Sequence, residues 1–183
     1  MDALEAIETR VSAVRLDATE PNAVDLKRIL TSGARAPDHG RLQPWRFVVL
    51  EGEAREILGD AMADLKKRHS PGATEEQLES ERAKARRAPT VIVVAARINR
   101  EHKILEIEQM LAVAACAQNM FLAAHALGYG VMWKTGDAAY DPIVKTTLGL
   151  SEDDHIVAFL YIGLPLAKGP LRVPDIERFV TRL

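Results

Sequence analysis

Apolar positions along this chain form four short continuous runs, and longer amphipathic segments separate them. The runs cover residues 45–50, Thr90–Ala96, 131–135 and 155–162, and each has the length and composition of a strand. Thr90–Ala96 is the most strand-like run because it is rich in β-branched residues and apolar on both faces. The run at 45–50 is continuously apolar from Phe47 onward, so we expect this strand to be buried as well.

The segments between the runs carry apolar residues at helical spacing. The pattern predicts helices that begin near residues 2, 22, 53, 106 and 141. In the first helix Leu4 and Ile7 lie on one face, and in the third we expect Ile57 and Leu58 to point into the core. The fourth is expected to end at Gly128, because glycine readily adopts the left-handed conformation that follows a helix.

Residues 74–87 form a further helical segment, which differs from the others in having almost no apolar face. Its charged side chains are Glu75, Glu76, Glu79, Glu81, Arg82, Lys84, Arg86 and Arg87. A helix of this composition is usually solvated. We therefore predict an exposed arm or lid, ended by Pro89.

Four apolar strands and five or six helices predict one α+β domain that spans residues 1–183. The tail, residues 168–183, is interrupted by prolines but ends in the apolar pair Phe179 and Val180. We do not expect so apolar an end to remain exposed to solvent, and it lies well beyond the last core element. We therefore expect the tail to pack on a second subunit.

Charge and cysteine content narrow the classes of function. The chain has 24 Lys and Arg against 26 Asp and Glu, so no overall attraction to nucleic acid or to anionic membranes is expected. Cys116 is the only cysteine, which leaves no intrachain disulfide and no thiolate metal cage. Residues 109–133 contain no charged side chain, but polar residues and alanines favour a buried helix over a membrane span. With no recognisable secretory signal, we expect a cytoplasmic protein.

The segment 36–47 is the stretch that folding alone explains least. It combines two prolines, a glycine, a histidine and two arginines, and it runs directly into an apolar strand. Loops of this kind on a rigid scaffold are frequent binding sites. Arg35, His39 and Gln43 are therefore candidate binding residues, whereas Arg41 is more typical of an ordinary surface charge.

Two other segments carry candidate chemistry, each with a structural alternative. Arg10, Val11 and Ser12 follow the first helix and have the fork and hydroxyl suited to a phosphate, although arginine there also offsets the helix dipole. The segment 128–136 contains glycines that let a backbone approach a flat ligand. Its alternative is a tight helix-to-strand turn with a buried Trp133.

Together these segments resemble the flavin-dependent nitroreductase family and, within it, the short YdjA-like branch. The segment 10–12 is similar to the family's Arg-x-Ser start, and 36–47 is similar to its Ala-Pro-Ser-x-x-Asn-x-Gln-Pro-Trp loop. The alanine-rich helix ending at Gly128, followed by Trp133, resembles the central helix and flavin-edge strand. This chain departs from the family in placing Arg41 where the loop has asparagine.

The resemblance implies a nitroreductase-like α+β fold, in which helices flank a central, mainly antiparallel sheet and two chains form an intertwined homodimer. It also implies that FMN binds at the dimer interface in sites built from both chains. The residues implied to contact FMN are Arg10, Val11, Ser12, Arg35, His39, Trp133, Lys134 and Thr135. The segment 123–128 corresponds to one assigned to the nicotinamide cofactor in the branch.

The implied activity is transfer of hydride from NAD(P)H through FMN to a small molecule such as a nitroaromatic or a quinone. The cofactor carries this chemistry, so no side chain is expected to act as catalytic acid, base or nucleophile. Two alternatives stay open: a flavin-modifying or dehalogenating enzyme with the same fold, and a non-catalytic FMN-binding or redox-sensing module. The sequence favours neither NADH nor NADPH.

Overall fold

The computed structural model describes all 183 residues as six helices and six strands, with three short 3-10 turns. The helices are α1 (Ala3–Thr9), α2 (Ala23–Gly33), α3 (Ala54–His69), α4 (Glu75–Ala85), α5 (Glu106–Ala126) and α6 (Pro142–Thr147). The strands are β1 (Ala13–Leu16), β2 (Trp45–Glu51), β3 (Thr90–Ala96), β4 (Gly130–Lys134), β5 (His155–Gly163) and β6 (Pro165–Lys168). The predicted α+β class is confirmed.

The central sheet contains four strands in the order β2-β3-β5-β4, and every neighbouring pair is antiparallel. Strand β3 is buried along its whole length, as its composition predicts. The prediction of a buried β2 is wrong for most of that strand. Because β2 lies at the sheet edge, Phe47, Val48 and Val49 are only half-buried.

Alternate side chains of β3 supply two separate cores, one on each face of the sheet. Val91 and Val93 pack with Leu58 of α3 and Phe159 of β5. Ile92 and Val94, on the other face, pack in a cluster with Met120 of α5 and Ile29 of α2. Full burial of one such side chain stabilises the fold by about 1.5–3 kcal/mol, so this alternation fixes the register of β3.

Helix α5 is long and apolar enough to span a membrane by length and composition alone. In this fold it is the central helix of the second core. Val113, Ala117 and Met120 are fully buried against the sheet and α2. Gly33 of α2 allows the close approach, since a Cβ there would lie 2.5 Å from Met120 Cγ.

Strands β1 and β6 form a second, two-stranded sheet that the hydrophobic pattern did not predict. Ala13 pairs with Lys168 and Leu16 pairs with Pro165. The ribbon packs on the central sheet at Gly130, where a Cβ would lie within 3 Å of Leu16 Cδ2. The first residues after α1 are therefore held against the last strand of the chain.

The first helix begins where the sequence predicts, but apolar side chains of two helices are exposed. Asp2 caps α1 by accepting a hydrogen bond from the Glu5 backbone N–H at 2.9 Å, and the helix ends at Thr9. Leu4 and Ile7 are exposed, so the apolar face of α1 has no cover within its own chain. Ile57 of α3 is also exposed, contrary to prediction, whereas Leu58 beside it is fully buried.

The charged segment 74–87 is not the free arm that its composition predicts. Helix α4 packs along α3 through the buried side chains of Leu78 and Ala85. Ion pairs join the two helices, with Arg82 bonded to Asp60 and Arg86 bonded to Glu56. Two of its charged side chains therefore attach the helix to α3, and α3 and α4 form one helical hairpin.

The tail packs little against the rest of its own chain. Residues 170–183 are exposed throughout, and Val173 and Phe179 keep 87% and 75% of their surfaces accessible. Its only regular structure is a 3-10 turn, Ile176–Phe179. The prediction that the tail packs on a second subunit remains a prediction.

Candidate functional site

The segment containing Arg10, Val11 and Ser12 links α1 to the β1–β6 ribbon. Arg10 is half-buried, with its guanidinium carbon 4.8 Å from the centre of the Phe121 ring. That distance is within range of a cation–π contact. No carboxylate of this chain forms an ion pair with Arg10, although charges removed from water are usually paired. The Arg10 guanidinium is therefore free to bind an anion.

Ser12 is fixed by the ribbon rather than by its side chain. Its carbonyl oxygen accepts a hydrogen bond from the Gly169 N–H at 2.9 Å, next to the Ala13–Lys168 pair. The Ser12 side chain is exposed, and Val11 is half-buried. This ribbon brings Lys168 to the same end of the molecule as Arg10.

His125, in the last turn of α5, lies between these two cations. Its Nε2 is 3.0 Å from the Thr9 hydroxyl oxygen. Burial lowers the pKa of His125 below its ordinary value of 6.5, and the charges of Lys168 and Arg10 lower it further. Arg10 and Lys168 thus make the surroundings of the His125 ring electropositive, and no acidic side chain is bonded to either cation, although Glu8 and Asp175 line the same cavity as Arg10.

The loop after α2 carries the other basic candidates. Arg35 is exposed and lines a groove between α1, α2 and α5, together with Ile7 and Leu122. His39 is exposed, and its Nδ1 lies 3.2 Å from Glu108 Oε2 at the start of α5. Each residue thus sits beside α5, Arg35 next to Leu122 and His39 next to Glu108.

The loop itself holds an unusual backbone conformation. Gly40, Arg41 and Gln43 all have positive φ, at 74°, 56° and 48°. The left-handed region is disfavoured for side chains other than glycine, so Arg41 and Gln43 store strain. Gly40 has no alternative, because a Cβ there would lie 2.2 Å from Ile104 Cδ1.

The end of β4 contains the remaining candidates. Trp133 is half-buried, and its indole N–H donates to the Val157 carbonyl at 3.2 Å, which fixes the ring. Lys134 and Thr135 are exposed and form no ion pair or side-chain hydrogen bond. Gly136 follows with φ 77° and ψ −174°, a conformation that is almost exclusive to glycine.

Nothing lies within 4 Å of a Cβ placed on Gly136. Position 136 therefore requires glycine because of its backbone conformation and not because of close packing. Such conformations concentrate at ligand sites. Beyond Gly136 a polar cleft opens, lined on its far side by Lys66 and His69 of α3 and by Lys84 of α4.

The single chain places the candidate residues at three locations. The segment 10–12 lies at the Gly130 end of β4, while Trp133 and Lys134 lie at its other end, roughly 13 Å along the strand. Arg35 and His39 lie beside α5. His39 lies near the start of α5, in a groove with the exposed Leu111, and Arg35 lies nearer its end, in a groove with Leu122.

Cys116 takes no part in this arrangement. It is fully buried between α5 and α2, and burial raises its pKa to about 12. A thiol in this state is not a nucleophile at neutral pH. The interpretation of Cys116 as a small core residue is consistent with this geometry.

The sequence did not predict three features of this region. They are the position of Lys168, the proximity of His125 to Arg10, and the strained backbone of Gly136. Lys168 could not be found because its position depends on the unpredicted ribbon. His125 lies four residues after Phe121, which places both on one face of α5, but nothing in the sequence links that face to Arg10. Gly136 is visible in sequence only as a glycine after a strand.

The antiparallel sheet flanked by helices is the architecture expected of a nitroreductase-like protein. The chain belongs to the nitroreductase family, whose model matches residues 7–164. Members of this family are oxidoreductases, so the expectation of an enzyme is confirmed.

Named relatives and solved structures agree with this assignment. The chain is 38% identical to "Putative NAD(P)H nitroreductase YdjA" of Escherichia coli (strain K12), over 99% of both chains. It is 36% identical to a "Putative NAD(P)H nitroreductase" of Haemophilus influenzae, over 100% of both chains. Among solved structures, a "putative nitroreductase in complex with fmn" from Desulfovibrio desulfuricans has 25% identity and a TM-score of 0.76, covering 100% of this chain and 98% of that chain. The predicted nitroreductase-like fold is thereby confirmed.

Proposed function

We propose that this protein is an FMN-dependent oxidoreductase that takes reducing equivalents from NAD(P)H and passes them to a nitroaromatic, a quinone or a similar acceptor. The observation that carries this proposal is the half-buried Arg10, which has no carboxylate partner and which, like Lys168, lies close enough to His125 to lower the pKa of that ring. The names of its relatives and the FMN complex of the Desulfovibrio protein support the same assignment.

The residues at this end fit the phosphate of FMN. A guanidinium fork binds two phosphate oxygens at once, which suits Arg10. Ser12 would add its exposed hydroxyl, and Val11 would contribute backbone only. Because α1 ends at Thr9 and the β1–β6 ribbon begins at Ala13, the backbone of this short segment is held at both ends before the ligand arrives.

The other end of β4 fits a flat ring. Trp133 is locked by its hydrogen bond to Val157, so it forms a fixed wall, while Lys134 and Thr135 are free to contact a ligand. Gly136 lets the backbone approach closely. When bound here, FMN supplies the hydride-transfer chemistry. The Lys134 ammonium would offset negative charge on the ring.

A second copy of the chain would complete the site. Arg35 and His39 line two grooves along the exposed face of α5, one with Leu122 and one with Leu111. A symmetric homodimer that buries Ile107 and Leu111 would bring these residues of one chain toward the Arg10 side of its partner. The exposed apolar tail would pack on that partner, and we infer that the homodimer works in the cytoplasm.

Purified protein tests the proposal directly. We expect it to be yellow, with about one FMN per chain. It should oxidise NADH or NADPH only when an acceptor from a panel of quinones and nitroaromatics is present. Colourless protein that neither binds added FMN nor oxidises either nucleotide would contradict the proposal. Bound flavin without acceptor turnover would indicate a binding module, and altered flavin or halide release under air would indicate the other enzyme alternatives.

A further inference from the structure

The hydrogen bond between His125 and Thr9 determines which ring nitrogen of His125 carries a hydrogen. The Thr9 hydroxyl has one hydrogen, and the Glu5 carbonyl takes it at 2.6 Å. The same hydroxyl oxygen lies 3.0 Å from His125 Nε2, so it must accept there. Nε2 therefore carries a hydrogen, and in the neutral ring Nδ1 has a free lone pair. Protonation at Nδ1 would leave the bond to Thr9 intact.

The charges that face His125 come from two other elements. Arg10 follows α1 and stacks on Phe121, one turn before His125 on the same face of α5. Lys168 comes from β6, and both cations oppose a charge on the imidazole. Of the acidic residues of α1, Glu5 and Glu8 are exposed and form no ion pair with His125.

Helix α5 itself has the opposite effect. His125 lies in its last turn, where the helix dipole favours a cation. In the free protein, burial and the two cations prevail, so the pKa of His125 lies below its ordinary value of 6.5. A dianion bound beside Arg10 and Lys168 would cancel their two positive charges and place negative charge near the imidazole, which favours the protonated ring.

We propose that His125 is a further phosphate-responsive residue of this site, and that it becomes protonated when the phosphate of the cofactor binds beside Arg10. This inference rests on the proposed function. It makes cofactor binding consume a proton, which adds a third positive charge at the phosphate. FMN affinity should then fall as pH rises, by at most tenfold per pH unit.

Two ligands and one conservative variant test this. Flavin-free protein is titrated with FMN and with riboflavin, which lacks the phosphate, from pH 6.5 to 8.5. The variant His125→Gln keeps an N–H donor for Thr9 but cannot be protonated. Since a phosphate monoester itself titrates near pH 6, the informative quantity is the difference between wild type and variant at each pH.

We expect the Kd of wild type for FMN to rise by about three- to tenfold per pH unit within this range, relative to the variant. Riboflavin should give no such difference. Calorimetry in buffers of different ionisation enthalpy should show a fraction of a proton taken up with FMN by wild type and less by the variant. Equal pH dependence and equal proton uptake in the two proteins would overturn the inference.

If His125→Gln does not fold, NMR titration of the His125 ring in wild type replaces it. The pKa of this ring should be higher with FMN than without, and an unchanged pKa would overturn the inference. Failure of the proposed function looks different. In that case the protein binds neither FMN nor riboflavin, and the inference falls together with the function on which it rests.

Discussion

The Asp38 carboxylate accepts a hydrogen bond from the backbone N–H of Gln43 at 2.6 Å, and this bond closes the strained loop before β2. The five-residue closure spans Gly40 and Arg41, both of which have positive φ. A carboxylate is a stronger acceptor than a neutral group, which helps to compensate for this strain. The shape of the loop that carries His39 therefore depends on one acidic side chain.

Replacement of Asp38 by alanine should release this loop. A hydrogen bond to a charged group contributes about 1.5–3 kcal/mol, so strained positions should relax once it is removed. We expect FMN to bind about tenfold more weakly and the thermal midpoint to fall by several degrees. Asp38→Asn keeps an acceptor oxygen and should lose less. Equal FMN affinity for wild type and Asp38→Ala would show that the loop does not need this bond.

Replacement of Arg10 by alanine should weaken FMN far more than riboflavin. The fork is proposed to bind the phosphate, so its loss should raise the Kd for FMN by about 10- to 100-fold. Arg10→Lys keeps the charge but loses the bidentate geometry and should be intermediate. The control is Arg15→Ala, since Arg15 is exposed on β1 and has no ion-pair partner. Fluorescence titration measures all four proteins, and equal losses for FMN and riboflavin would place the phosphate elsewhere.

Asp141 should make stability depend on pH in the acid range. Two 2.8 Å hydrogen bonds from Arg68 hold the pKa of Asp141 below its ordinary value of 3.8, and it also caps α6. Because the folded-state pKa is depressed, the ionic contribution is present above pH 3.8 and is lost as pH falls through the folded-state value.

Urea unfolding from pH 2.5 to 6 compares wild type with Asp141→Asn, which keeps a capping oxygen but no charge. We expect the wild type to be more stable at pH 6, and the difference to shrink below pH 3.8. Asp141→Ala loses the cap as well and should cost about 2 kcal/mol. A difference that stayed constant down to pH 2.5 would rule out this linkage.

Gly33→Ala should destabilise the contact between α2 and α5. A Cβ at this position would lie 2.5 Å from Met120 Cγ and 3.0 Å from Cys116 Sγ, so the core must shift. Overpacking of this kind costs about 1–3 kcal/mol. The matched control is Gly72→Ala, because nothing lies within 4 Å of that position. Thermal unfolding should show a lower midpoint for the first variant only, and similar midpoints would mean that Met120 adapts freely.

The central sheet could be predicted because β3, β4 and β5 bury continuous apolar runs that no other structure explains as well. Strands β1 and β6 could not, since each has only four residues and they pair across most of the chain length. The docking of α4 was also hidden. It depends on only two buried side chains, Leu78 and Ala85, and on charges whose partners, Asp60 and Glu56, lie on another helix.

The candidate site was also predictable only in part. Motifs identified Arg10 and Trp133 through family resemblance, and the structure places them at the two ends of β4. The neighbours that give Arg10 its electrostatic setting, Lys168 and His125, come from distant segments. Their convergence is a property of the fold, so no local pattern could have revealed it.

Cys116 gives the chain an intrinsic reporter of its own opening. Because it is the only cysteine and is fully buried, a thiol reagent should not react with the native protein. Labelling then requires α2 to separate from α5, and its rate under weakly denaturing conditions measures the free energy of that opening. Retarded labelling in the presence of FMN would report how strongly ligand binding holds the two helices together, without any introduced probe.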